Sequence, residues 1–188
     1  MNSSKMMRVG VIVAGLFLVG CGAGSKLTRL DNVSKDEAIV AGKFRIKYNG
    51  EDVTKGCDIS IRPMYTQRLD ESGYVFAKLP VGAHSVWILT YSYMQHRFDT
   101  DDLTFQLKGG GAINYIGDIT MDWKGMSKGS GLALGVAVGG WGNILGATKG
   151  KMVVSVKSNP EEIQAEIRRR FNSDQKVTPS LMVVKPGL

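Results

Sequence analysis

From residue 38 onward, apolar and polar residues alternate with a period of two, which is the pattern of strands with one face in a core and one in water. Val40, Phe44, Ile46 and Tyr48 share one face, with Lys43, Arg45 and Lys47 on the other, and Asn49-Gly50 closes the run as a hairpin turn. Cys57 to Arg62 is a second strand ending near Pro63, Asp70 to Gly73 is a turn, and Tyr74 to Leu79 is a strand closed by Pro80-Val81-Gly82. His84 to Met94 reads as one long central strand, with Trp87, Leu89, Tyr91 and Tyr93 on one side and Val86 and Ile88 on the other. Leu103, Phe105 and Leu107 alternate with Thr104, Gln106 and Lys108. Ile113, Tyr115, Ile119 and Met121 alternate with Asn114, Asp118, Thr120 and Asp122, and Met152, Val154 and Val156 add another strand. About seven short strands at roughly ten-residue spacing predict an all-β fold, an antiparallel β-sandwich. No strand–helix alternation speaks for a parallel nucleotide-binding sheet.

A C-terminal helix is expected over about 160–171. Asn159 stands as its cap, Pro160 at its first position, Glu161 and Glu162 at its positive end, and Arg168, Arg169 and Arg170 in its last turn. Ile163, Ile167 and Phe171 form its apolar stripe. Residues 172–188 read as a loosely held tail, with Leu181 to Val184 able to add an edge strand.

The N-terminus has another character. Lys5 and Arg8 precede an uncharged apolar run, Val9 to Gly20, that ends in Leu18-Val19-Gly20-Cys21. A membrane-spanning helix needs about 20 apolar residues, so this shorter run predicts a cleaved secretory signal over 1–20. The cysteine after the small residue resembles the lipobox of bacterial lipoproteins. That resemblance implies a diacylglycerol on Cys21, cleavage before it and acylation of the new amino end; two or three acyl chains anchor stably where one does not. In a bacterium with two membranes, Gly22 resembles the outer-membrane sorting pattern, which implies a protein facing the periplasm. Residues 21–37 then form a lipidated, flexible tether to a domain over 38–158.

Cleavage leaves 168 of 188 residues, enough for one domain with a fair core. Of the chain's net charge of +7, Lys5 and Arg8 account for two, so about +5 stays with the mature chain. That modest, diffuse charge permits contact with anionic envelope polymers and does not point to nucleic acid. With Cys21 lipidated, Cys57 has no disulfide partner, and its place on the apolar side of a strand predicts a buried, inert thiol.

From Ile39 to Tyr93 the chain carries Ile39-Val40-Ala41-Gly42-Lys43-Phe44, then Tyr48-Asn49-Gly50, then Gly73-Tyr74-Val75-Phe76-Ala77-Lys78-Leu79-Pro80-Val81-Gly82-Ala83-His84. This resembles transthyretin-like or carboxypeptidase-regulatory-like sandwiches, including PEGA-type repeats and related bacterial lipoproteins, in which a strand ending in Leu-Pro-x-Gly turns into a long apolar strand. The resemblance implies a non-catalytic accessory or adhesion-like domain and carries no functional residues to transfer.

Within 38–158, residues 129–148 form an insert without charge, and it holds seven glycines. Gly131, Gly135 and Gly139 fall four apart, spacing that suits close helix packing in a membrane. Yet each glycine costs a helix in water about 1 kcal/mol, and Leu132, Leu134, Val136 and Val138 alternate like a strand, which favours a hairpin or loop. Lys43, Arg45 and Lys47 form a basic stripe that reads as a solvated face or as a contact for an anionic glycan. His84 and His96 are too few for a zinc site. Asp99, Asp101 and Asp102 lack the twelve-residue calcium-loop pattern. No Gly-x-Ser-x-Gly occurs, and nothing singles out a carboxylate pair. The expectation is therefore a lipid-anchored, non-enzymatic envelope protein, anchored through Cys21, needing no cofactor or metal, with an envelope protein as partner. The alternative is a glycan- or lipid-binding module that uses the basic stripe and a Trp87, Tyr91 and Tyr93 face.

Overall fold

The computed structural model describes residues 27, 29, 30, 33–124 and 151–188. The signal, Cys21 and the insert over 129–148 lie outside the described residues. Among the described residues, twelve strands and one helix follow in order: β1 (Glu37–Tyr48), β2 (Glu51–Asp52), β3 (Cys57–Ile61), β4 (Tyr65–Arg68), β5 (Tyr74–Pro80), β6 (Gly82–Tyr91), β7 (Met94–Arg97), β8 (Leu103–Leu107), β9 (Ile113–Lys124), β10 (Lys151–Lys157), α1 (Pro160–Phe171), β11 (Val177–Pro179) and β12 (Val183–Val184). They build a two-sheet sandwich with one C-terminal helix. The first sheet runs β10-β9-β1-β2, with β5 also on β1 and β11 also on β9. The second runs β12-β8-β6-β3-β4, with β7 on β6. Most pairings are antiparallel, but β9 lies parallel to both β1 and β11.

The core between the sheets holds Phe44 and Ile46 of β1, Ile59 and Ile61 of β3, Val86 and Leu89 of β6, the three apolar residues of β8, and Ile119, Met121 and Trp123 of β9. Burying each such side chain contributes about 1.5–3 kcal/mol. A second cluster lies on the outer side of the first sheet. Ile39, Ala41, Tyr74, Phe76, Ile113 and Tyr115 pack there against Ile163 and Ile167 of α1, with Phe171 partly buried at its rim. The predicted stripe thus docks the helix. The helix spans the predicted residues and ends on Asn172 in the left-handed conformation. Asn159 makes no capping bond with its side chain; its amide instead donates to Glu162 Oε2 at 2.8 Å.

Three strand expectations are corrected. The alternation in β9 does not keep one face. Gly117, at φ +110°, sits in a bulge where β9 carries an extra residue opposite β1, so Ile113 and Tyr115 face the helix while Ile116, Ile119 and Met121 face the inter-sheet core. The run from His84 to Met94 is not one strand: Ser92, at φ +55°, turns it into the β6–β7 hairpin. The tail is not loose. β11 joins the first sheet, β12 joins the second, and Met182 between them is buried in the core, so residues 177–184 staple the sandwich across one edge. The N-terminal tether is also partly docked, since Leu27, Leu30 and Val33 pack on the helix-side cluster.

Candidate functional site

The outer face of the second sheet carries a groove of about 800 Å³, open to solvent. Its geometry starts from a bulge. β3 pairs Ile61 with Val86 and Ser60 with Ile88, leaving Trp87 as an extra residue on β6. Val86 and Leu89 therefore both enter the core, and Trp87 turns outward and lines the groove. The Arg62 guanidinium lies 5.6 Å from the centroid of the Trp87 ring, a cation–π pairing. Arg62 is exposed and leads into Pro63 through a cis peptide bond. Pro63, Pro80 and Val81 form apolar walls, and Ser85, Thr100 and Thr104 add hydroxyls.

His84 ties two of those walls together. Its ring is buried, stacked on Phe105 with centroids 5.6 Å apart. Nδ1 lies 2.8 Å from the Arg62 carbonyl oxygen and Nε2 lies 2.7 Å from that of Pro80. Both partners are carbonyl oxygens, so the ring N–H donates to the one it faces. The end of β3 and the β5–β6 corner are held in register by this one side chain.

The charged cluster on the opposite, helix-covered face has a different character. Lys43 bonds Glu162, and the Tyr74 hydroxyl donates to the same Glu162 Oε1 at 2.8 Å. The Tyr115 hydroxyl donates to Asp118 Oδ1 at 2.9 Å and accepts the Asn159 backbone N–H at 2.9 Å. Lys43 and Tyr74 hold the Glu162 carboxyl below its usual range, while burial pushes that of Asp118 up. Two carboxylates pushed in opposite directions resemble an acid–base pair, but neither lines the groove beside Trp87. The small cavity beside Lys43, about 180 Å³, is bounded by Arg45, Asp52, Glu71 and Tyr74 among others, and does not include Asp118 or Glu162. Glu166 is similarly engaged: it accepts from Arg169 and Arg170, and Arg170 also covers the rings of Tyr74 and Phe76. These charges fasten α1 to the sheet.

The other sequence-marked residues scatter. Cys57 is fully buried with its Sγ 3.1 Å from the Val53 carbonyl oxygen, and burial pushes its thiol up to about 12. The basic stripe is not a free row, because Lys43 is taken by Glu162 and only Arg45 of the three is exposed. The Trp87, Tyr91 and Tyr93 face does not form: Tyr91 packs on the core beside Tyr48, and Tyr93 stands 69% exposed in the β6–β7 turn. His96 lies against Phe98 and Trp123, and burial lowers its pKa. Asp102 accepts the Asp99 backbone N–H and Asp101 pairs with Lys185 at 2.9 Å, so the acidic loop holds itself and the tail. Among the described residues no group of three His, Cys, Asp or Glu could hold a metal ion, and no helix is long and apolar enough to cross a membrane.

The Trp87–Arg62 pairing was not legible in the alternation, because the bulge that aims Trp87 outward breaks that alternation. The sequence signals were an Arg-Pro step after one strand and, far along the chain, a tryptophan in an apolar run. No family model, no curated protein and no solved structure matches this chain.

Proposed function

We propose that this chain is a lipid-anchored, non-enzymatic accessory protein of the bacterial envelope that binds a component of that envelope through the open face of its second sheet. The signal and the lipobox-like ending at Cys21 support the anchor, and Gly22 supports an outer-membrane, periplasm-facing placement. The Leu-Pro-x-Gly corner and its resemblance to transthyretin-like and PEGA-type sandwiches support an accessory role. The observation that carries the binding role is the difference in engagement of the two faces. The charges of the helix-covered face are spent on one another, whereas the groove beside Trp87 presents an aromatic ring, a cation and hydroxyls to solvent.

The anchor has a direct test in the native producer. With Cys21 acylated, the folded mature chain offers only Cys57, which is buried, so a thiol reagent should modify nothing until the protein is unfolded. A fast-reacting thiol in the folded protein would show Cys21 unmodified. In parallel, Cys21→Ser should move the protein from the membrane to the soluble fraction; retention of the variant on the membrane overturns the reading.

A further inference from the structure

We infer that the groove on the second sheet is a binding site for an acidic carbohydrate chain, with a sugar ring lying on Trp87 and its carboxylate paired with Arg62; this rests on the binding role proposed above.

Four observations carry it. First, among the described residues no Asp or Glu lines the groove. The cavity beside Lys43 sets Asp52 and Glu71 against its cations, so it offers an anion little net attraction. Second, among the described residues the Arg62 guanidinium is paired with a ring rather than a carboxylate. Its planar fork of donors suits bidentate contact with a carboxylate. Third, Trp87 is aimed outward by a bulge, at the cost of an interrupted ladder with β3. A flat indole face matches the C–H face of a pyranose, and the hydroxyls of Thr100 and Thr104 can exchange hydrogen bonds with its ring substituents. Fourth, the groove is open to solvent, and its volume of about 800 Å³ has room for more than one sugar ring.

The same observations disfavour an anionic lipid surface. Attraction to such a surface comes from clusters of basic residues, and among the described residues Arg62 is the only Lys or Arg lining the groove. His84 is a positioning residue in this scheme. It faces the carbonyls of Arg62 and Pro80 and so sets the spacing of the walls, but both of its ring nitrogens are engaged.

The test is calorimetric titration of the detergent-solubilised full-length protein. The probes are an oligomer of galacturonic acid, the matched neutral oligomer of galactose, inorganic phosphate, and vesicles rich in anionic phospholipid. The acidic oligomer should bind at least tenfold more tightly than the neutral one. Arg62→Gln should abolish that preference while leaving the weak neutral binding, and Trp87→Ala should remove binding of both sugars. Thr104→Val, on the same wall, should weaken both several-fold and serves if Trp87→Ala misfolds, which circular dichroism would reveal. Equal binding of acidic and neutral oligomers overturns the role of Arg62. Phosphate displacing the acidic oligomer at similar concentration shows a site that reads charge alone and overturns the carbohydrate assignment. So does binding to vesicles that depends on Arg62. If no sugar binds, the ligand class is wrong, while the anchor is judged separately by the fractionation of Cys21→Ser.

Discussion

The two outer faces of the sandwich follow opposite rules. On the first sheet, the outward residues Ile39, Ala41, Phe76, Ile113 and Tyr115 are apolar or aromatic, and α1 and the segment around Leu27, Leu30 and Val33 cover them. On the second sheet, Ser60 and Thr66 face each other across β3 and β4 with their hydroxyls 2.9 Å apart, and among the described residues no helix packs on that face. A face meant for cover is built apolar and a face meant for water is built polar. Trp87 breaks that rule, as a large aromatic placed on the polar face, and this exception marks the site. The lesson is that exposure by itself is uninformative here; what matters is a side chain on the face where its chemistry does not belong.

The sharpest way to break the comparison is to remove cover. Ile167 is fully buried between α1 and the first sheet, and Ile167→Ala should cost about 2–5 kcal/mol through lost burial and the cavity left behind. Equilibrium urea unfolding of the detergent-solubilised protein reads this directly. A loss below about 1 kcal/mol would mean that the helix is not a structural cover. A smaller effect is expected at the bulge that aims Tyr115 at the helix and Ile116 at the core. Gly117 has φ +110°, and a Cβ there would lie 2.6 Å from Val156 Cγ1. Gly117→Ala should cost about 1–3 kcal/mol from backbone strain, with some further cost if β10 has to shift. An unchanged unfolding midpoint would show that β9 needs no glycine at its change of face.

Acid probes the same cover by another route. Glu162 and Glu166 are held below the ordinary glutamate value of 4.5, chiefly by Lys43 and Arg169. A carboxylate whose folded pKa is depressed stabilises the fold fully above its unfolded value, and that contribution is lost as pH falls through the lower folded value. Asp118 works in the opposite direction: burial raises its pKa above 3.8, so its ionised form is less favourable in the fold than out of it, and acid relieves that cost. Stability should therefore fall below about pH 4.5 as these glutamates take up protons, and Glu162→Gln should flatten that part of the fall; a separate loss begins below about pH 6.5, because burial keeps a proton off His96 in the fold more than out of it. A fall below pH 4.5 that is unchanged in Glu162→Gln would contradict this assignment.

The fold was largely written in the periodicity, and its departures sit where the backbone, rather than the pattern, decides. Helix α1 was legible because proline, the two glutamates and the arginine run agree on its ends and Ile163, Ile167 and Phe171 agree on its face. The Asn49-Gly50 turn was legible because both residues take positive φ, as a two-residue hairpin turn of this kind requires. The two bulges were not. An extra residue reverses the parity of everything after it, so Ile119 and Tyr115 read as one face and lie on two. The same parity change hid the site, since Trp87 and Leu89 read as neighbours and point to opposite sides of the sheet. In the tail, β12 falls within the edge strand expected over Leu181 to Val184, whereas β11 was hard to see because a three-residue pairing carries almost no alternation.

The smallest effect belongs to the polar face away from the groove. Thr66 is exposed, and its hydroxyl meets that of Ser60 across an edge of the second sheet. Thr66→Ala removes one cross-strand hydroxyl pair and leaves Ser60 with little water access, since it is buried. The expected cost is about 1 kcal/mol, the low end for a buried hydroxyl that loses its partner, with no change in sugar binding. Its value lies in the contrast with Ile167→Ala. If the two substitutions cost the same, the second sheet depends on its outer face as much as the first does, and the division into a covered face and a working face fails. If Thr66→Ala is silent in binding while Trp87→Ala is silent in stability and decisive in binding, the polar face is free to be specialised without penalty to the fold.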